Sequence, residues 1–467
     1  MSFITRRKSI DALAAVDAQH RLTPTLSWPH LVALGVGAIV GTGIYTLTGI
    51  GAGLAGPAVI LSFAIAGAIC ACAALCYAEM ATLIPASGSA YTYSYSVMGE
   101  LVAWVVGWSL ILEYTVVCSA VAVGWSAHVQ PFLSGVGFPA QLMAGPHAGG
   151  VINLPAVFIC FVVAGLLSAG TKESAVINMV LVAIKIVALA AFVAITLPTF
   201  DASHFTPFMP NGFSGQTNGT EKIGVMAAAA LIFFAFYGFD AVSTAAEETK
   251  NPKRDLTIGI VGSMLACTAI YMLVAAVAIG ASRAEVFSQS EAPLVFILET
   301  LGQPSVAKVV AAAAVIALPT VIMAFMYGQS RIFFVMARDG LLPRALASVN
   351  KKTGTPVVMT MLTGAIAAAI AGFFPLKEIA ELANAGTLAA FIAVALSVII
   401  LRRREPNRPR VFKTPLWFIV APAAILGCLY LFWSLPASTQ VRFLIWNAIG
   451  VVVYLLYSRR ASLLAKA

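Results

Sequence analysis

Residues 37–57 read GAIVGTGIYTLTGIGAGLAGP, apolar enough for a membrane yet carrying seven glycines and a closing proline. The stretch admits three readings: a nucleotide-binding turn, a close-packing helix face, or a transmembrane helix built to break. A literal G-x-G-x-x-G runs from Gly51 to Gly56. That fingerprint works after a strand and inside a βαβ unit, whereas here it ends an apolar run and leads into Pro57. The match is accidental, and these later glycines are expected to loosen the end of the first helix. Gly37 and Gly41, four apart, suit close helix packing. Gly41-Thr42-Gly43 falls halfway along the apolar segment and suits a break.

The surrounding chain decides between the last two. Its 467 residues are 60% hydrophobic and 10% charged, against about 25% charged in an ordinary soluble domain. A deficit of that size over the whole length indicates a polytopic membrane protein. A span needs about 20 mostly apolar residues. Twelve segments qualify, at about 30–55, 57–81, 100–129, 151–170, 175–198, 222–246, 257–281, 305–334, 356–374, 384–401, 415–434 and 441–458. With the N-terminus inside, 22 of the 28 Lys and Arg residues fall on the inside and five on the outside; the remaining one is Lys185, within the fifth span. That bias puts both termini in the cytoplasm and the protein in the cell membrane. It also makes the net charge of +9 a topology signal, not a nucleic-acid footprint. The expected organisation is a cytoplasmic segment (1–29), a ten-helix core (30–401), a basic loop (402–414) read as an anchor, and two peripheral helices with a short tail (415–467). The seven cysteines lie in apolar runs and read as packing residues. The five histidines (His20, His30, His128, His147, His204) lie at span ends or in loops. Neither set has metal-ligand spacing, and no metal or cofactor is expected.

Two spans are interrupted near mid-depth. The first carries Gly41-Thr42-Gly43, and the sixth carries Tyr237-Gly238-Phe239-Asp240 after its main apolar run. These are the first helices of two successive five-helix sets, about 30–198 and 222–401. Five is odd, so the second set enters the membrane inverted. Matching interruptions in corresponding spans mark an inverted repeat with a binding site between its halves. Unwound backbone at that depth needs partners from protein or ligand. Half-helix N-termini favour a carboxylate, and free carbonyls at half-helix C-termini favour an ammonium. A zwitterionic amino acid carries both groups. Asp240 reads as a cap whose carboxylate accepts from freed N–H groups of the sixth span, in preference to a direct substrate contact.

Several stretches resemble the amino acid–polyamine–organocation superfamily, most closely bacterial members of its cationic amino acid transporter family. They are GAIVGTGIYTLTG after a basic N-terminus, YAEMATLIPASGSAYTYSYSVMGE after the second span, GWSLILEY, FAFYGFDAVSTAAEETKNPKRD and YGQSRIFFVMARDGLLP. They extend across most of the chain in the family's order. The resemblance implies an all-α, leucine-transporter-like fold: a five-plus-five inverted repeat with broken helices 1 and 6, plus two peripheral helices. It implies secondary amino acid transport. Gly41, Thr42 and Gly43 match the family's carboxylate-binding break, and Ile39 beside them is grouped with the substrate-binding residues. Phe234, Ala235 and Tyr237, with Gly238, match the sixth-helix segment that supplies amine-binding carbonyls and side-chain contacts. Phe234 is the expected aromatic closure over the substrate.

Two further charges lie within spans. Lys185, in NMVLVAIKIVALAAF, has no polar neighbour for several helical turns on its own segment, apart from Asn178 at the start of that stretch. An unpaired ammonium at mid-bilayer costs at least about 3 kcal/mol, so such a residue is normally paired and functional. A static salt bridge is the alternative. In proton-coupled relatives a fifth-helix lysine stands where sodium-driven members bind sodium, and Lys185 matches that position. Its expected contacts are carbonyls of the first helix near Gly41 and a hydroxyl of the eighth such as Thr320. Glu113, mid-way along the third span, reads as a proton carrier, a water-linked partner in the coupling network, or a neutral buried acid. Glu79 and Glu100 read as interfacial. The expected function is proton-coupled symport of amino acids, with small neutral ones such as alanine first, because no acid is left over to receive a cationic side chain. An arginine/lysine carrier or an exchanger is the alternative. There is no filter repeat of a channel, and no H-E-x-x-H or G-x-S-x-G of an enzyme.

Overall fold

The computed structural model describes residues 6–10, 24–214, 216–218, 221–290, 292–350 and 352–466. His20 lies outside them, as do Gly219 and Thr220 of Asn218-Gly219-Thr220, a glycosylation sequon in the connection before the sixth span. Among the described residues nine helices are long and apolar enough to cross a membrane, and three shorter apolar helices (Trp28–Ile39, Leu154–Ala169, Val357–Phe373) accompany them. Together they occupy the twelve expected segments. The protein is a multi-pass, nearly all-helical membrane protein. One departure from an all-α chain is an antiparallel hairpin of Gln216–Asn218 and Glu221–Ile223 in the connection between the fifth and sixth spans.

Boundaries moved where polar residues hid a helix. The tenth span begins at Leu376 because its first turns hold Lys377, Glu378 and Glu381, which break the apolar run without breaking the helix. The eighth span is two helices, Pro304–Ala317 and Pro319–Arg338. Pro319 has no N–H to give Val315, its partner four residues earlier. The indole N–H of Trp125 on the third span takes that carbonyl instead, at 2.7 Å. The connection after the second span also folds: Ser89–Val97 is a helix buried along its whole length. The later glycines of the first span do not loosen it. Leu47–Ala55 is a continuous helix, and its glycines allow close approach instead. A Cβ on Gly51 would stand 2.7 Å from Ile232, and one on Gly49 would stand 3.2 Å from Pro293. The helix stops at Gly56, where φ is +64°.

The two five-helix sets interlock as an inverted repeat should. Exchanging spans one to five with six to ten sends most packed pairs onto packed pairs. First-on-seventh maps to sixth-on-second, third-on-tenth to eighth-on-fifth, and fourth-on-eighth to ninth-on-third. Second-on-seventh, third-on-eighth and fourth-on-ninth map onto themselves. The eleventh span (Trp417–Ser434) packs outside the tenth and second, and the twelfth (Ala437–Val453) outside the tenth and third.

Glu79 and Glu100, expected at the interface, are buried. Burial is tolerable because each carboxylate is fully engaged. Glu79 receives two bonds of 2.8 Å from Arg402, a third of 2.8 Å from the Thr414 N–H, and an ion pair with Arg410 at 3.1 Å. Glu100 receives hydroxyls from Tyr95 and Tyr454 at 2.8 Å and Ser462 at 2.6 Å, with Arg6 at 3.8 Å. The Glu79 cluster holds the loop after the tenth span in shape. The end of the bundle carrying this loop, Arg331 and Arg338 is its basic end. Glu79→Ala leaves two guanidinium groups without their carboxylate. It is expected to destabilise the fold by about 3 kcal/mol or more, read as a lower thermal unfolding midpoint of the purified protein.

Candidate functional site

The first span is built from Trp28–Ile39, Thr42–Tyr45 and Leu47–Ala55. After Ile39 the backbone turns extended at Val40 (ψ 98°), which ends the first half-helix inside the protein. The last carbonyls of a helix have no partner within it. Side chains from three other spans supply them. The Lys185 ammonium donates to Gly37 O at 2.7 Å and to Val40 O. Thr320 donates to the same Gly37 O at 3.0 Å, and the Tyr271 hydroxyl donates to Ile39 O at 2.6 Å. A cation at a helix C-terminus is also favoured by the helix dipole. Lys185 and Thr320 are thus joined through a shared acceptor rather than bonded to each other.

The sixth span runs helically from Val225 to Ile232, tightens to a 3-10 turn at Phe233–Phe236, breaks, and resumes at Phe239–Thr244. Tyr237 is extended (ψ 154°) and Gly238 has φ +117°. Only glycine takes that conformation without strain. The fully buried Asp240 reaches back to accept the Gly238 N–H at 3.2 Å, and its other oxygen accepts the Tyr114 hydroxyl from the third span. Its carboxylate therefore holds the break and is tied to a neighbouring helix.

The two breaks touch. A Cβ on Gly238 would stand 2.3 Å from the Cβ of Ala38, and one on Gly43 would stand 2.3 Å from that of Ala235. Glycine on one side and alanine on the other let the backbones approach at both points. Between them lies a cavity of about 210 Å³. The first span contributes Ala38, Ile39, Gly41 and Gly43 to its wall, and the sixth contributes Phe234 and Tyr237. The rest comes from Val117 and Val121 of the third span and Val321 and Phe325 of the eighth. No charged side chain lines it. The Phe234 and Tyr237 rings are 5.2 Å apart.

The sequence-derived residues thus divide. Ile39, Gly41, Gly43, Phe234 and Tyr237 line the cavity, whereas Ala235 and Gly238 join the two breaks. The Thr42 side chain lies outside the described residues. Glu113 is fully buried away from the cavity wall. One of its oxygens accepts the Thr387 hydroxyl of the tenth span at 2.6 Å, and the other has no partner. Sequence reading missed Ala38, Val117, Val121, Val321 and Phe325. The last four form i,i+4 pairs on two spans, a spacing repeated throughout such apolar helices, so nothing set them apart.

Two interlocked five-helix sets broken at matching helices around a small mid-depth cavity define a membrane transporter of the leucine-transporter-like fold. The same fold is found in the crystal structure of MhsT in complex with L-phenylalanine. The TM-score is 0.61, covering 89% of this chain and 99% of that one at 16% identity. The amino acid permease family matches residues 26–456. Two proteins of Bacillus subtilis (strain 168) are similar end to end. The branched-chain amino acid permease BcaP is 44% identical over 466 residues, 98% of each chain. The methylthioribose transporter is 42% identical over 471 residues, 100% of each chain. The chain belongs to the amino acid permease family, within the amino acid–polyamine–organocation superfamily, and is a transporter, not an enzyme.

A methyl group at position 43 must displace Ala235, and overpacking of that kind costs about 1–3 kcal/mol. Gly43→Ala is expected to weaken amino acid binding by roughly tenfold, measured by isothermal titration of the purified protein.

Proposed function

We propose that this permease is a proton-coupled symporter of small neutral amino acids in the cell membrane, with both termini in the cytoplasm. The observation that carries the reading is the Lys185 ammonium seated on Gly37 O and Val40 O, at the end of the half-helix that forms the cavity wall. A cation fixed at that point satisfies backbone carbonyls that a metal ion would otherwise serve. Unlike a metal ion, it can release a proton and remain in place. The proton then becomes the coupling ion: when it leaves, the carbonyls lose their cation and the half-helix is free to move.

The substrate carboxylate sits on the N–H groups at the start of the second half-helix, around Gly41, Thr42 and Gly43. Its ammonium sits on carbonyls of the sixth-span break near Phe234 and Ala235, and Phe234 closes over it. The side chain points toward Val117, Val121, Val321 and Phe325. A wall with no charge favours a neutral side chain, and the narrow space between the breaks favours a small one. The printed name of the branched-chain permease relative also supports an apolar side chain. Arginine or lysine would bury an unpaired charge against valines, at a cost the site does not offset. Glu113, with one carboxylate oxygen unpartnered beside Thr387, acts with Lys185 in coupling. Asp240 acts as the cap of the sixth-span break.

In proteoliposomes an inward proton gradient is expected to drive alanine accumulation without sodium. Lys185→Ala is expected to abolish that accumulation; gradient-driven uptake unchanged in this variant overturns the coupling role. Among the twenty amino acids, small neutral ones are expected to raise the unfolding temperature most. Stabilisation led by arginine and lysine overturns the substrate class. Counterflow that proceeds with no response to a pH gradient identifies an exchanger instead.

A further inference from the structure

A second cavity, of about 380 Å³, lies toward the basic end. His30 and Leu34 of the first half-helix, Asn178 of the fifth span, and Met323 and Tyr327 of the eighth all line it. Asn178 is 4% exposed. Its Nδ2 donates to Ala33 O at 3.1 Å, while its Oδ1 has no partner among the described residues. An orphaned buried acceptor in a cavity with room to spare is a place for water.

The position of that acceptor gives the water a purpose. Asn178 and Lys185 are seven residues apart, two helical turns, and face the same half-helix. They grip Ala33 O and Gly37 O, acceptors one turn apart on it. Along the axis those carbonyls are separated by about 6 Å. Asn178 thus holds the half-helix one turn from the carbonyl that accepts the ammonium. Gly37 allows a close approach here: a Cβ on it would come within 3.0 Å of both Asn178 Oδ1 and Val182, so the unpartnered oxygen lies against the residue whose carbonyl takes the ammonium. At the outer end of the cavity stands the half-buried His30, whose Nδ1 is hydrogen-bonded with the Ser27 hydroxyl at 2.9 Å.

We propose that this cavity is the water-filled route by which Lys185 exchanges its proton with the basic end, and that Asn178 Oδ1 positions the water beside the ammonium. An N–H bond of Lys185 breaks as its proton passes to that water. A proton leaves the water on the far side, moves along the cavity past His30 to bulk solvent, and leaves a neutral amine behind; the reverse sequence reloads it. Among the described residues the other titratable groups around the route are few. Tyr271 on the seventh span is bonded to Ile39 O. Beside the cavity the Tyr327 hydroxyl is bonded to Glu248, which is paired with Arg331. The inference rests on the coupling role of Lys185 proposed above.

The test separates net proton movement from exchange, because a loaded carrier can exchange substrate without releasing its proton. In proteoliposomes Asn178→Leu is expected to slow proton-gradient-driven alanine uptake by about tenfold while leaving alanine counterflow within about twofold. Asn178→Ser, which restores an acceptor, is expected to recover part of the loss. Leu34→Trp, which fills the cavity from the opposite wall, is expected to reproduce the split. Parallel loss of uptake and counterflow in Asn178→Leu with no recovery in Asn178→Ser overturns the proposal in favour of a structural bond to Ala33. Full gradient-driven uptake in Asn178→Leu, where Lys185→Ala has lost it, overturns the route while sparing the coupling role. Full uptake in Lys185→Ala removes the coupling role and the route together.

Discussion

A helix that stops inside a membrane must find partners for its last carbonyls, and the architecture follows from how this chain does so. Ending the first half-helix at Ile39 exposes acceptors that the apolar surroundings cannot serve. Lys185, Thr320 and Tyr271 serve them from the fifth, eighth and seventh spans. The break is therefore a junction at which four helices are fastened by polar contacts in an otherwise apolar bundle. Fastening of this kind is uncommon in membranes, where packing of small residues carries most helix association. Here both devices operate within a few residues. Small residues join the first break to the sixth at Gly43–Ala235 and Ala38–Gly238, and polar side chains join it to the rest.

The cavity is the space left over by this arrangement. Its floor and ceiling are fixed by the two glycine–alanine contacts, and its side walls by valines and a phenylalanine on two long helices that both reach it from outside the breaks. Backbone geometry and wall chemistry are thus set by different parts of the chain. A change of wall residue therefore leaves the two glycine–alanine contacts untouched, and the lining can vary independently of the breaks.

Much of this was legible in the residues, for identifiable reasons. The twelve spans are visible because hydrocarbon demands length and apolarity. The first break is visible because glycines flank a threonine at mid-span, and Lys185 because it stands deep in a long apolar run. Other features leave no local trace. In a soluble helix the buried face declares itself by contrast with a polar one. A helix between lipid and protein is apolar on both faces, so Val117 and Val121 look like any other valines. The ties of the buried acids were not visible because their donors are remote in sequence: Arg402 lies 323 residues from Glu79, and Ser462 lies 362 from Glu100. Helix starts were blurred wherever charge entered the first turns, as at Leu376.

The cluster at Glu100 has a topological consequence. Arg6 approaches this carboxylate and also donates to the Arg459 carbonyl at 3.3 Å, while Tyr454 and Ser462 reach the same acid from the far end of the chain. The polypeptide is nearly a closed ring, pinned where its two ends meet at the root of the third span. Tilting that span relative to the rest would pull on both ends at once. The two outer helices, remote from the cavity and mostly facing lipid, are thereby mechanically in series with one of its walls.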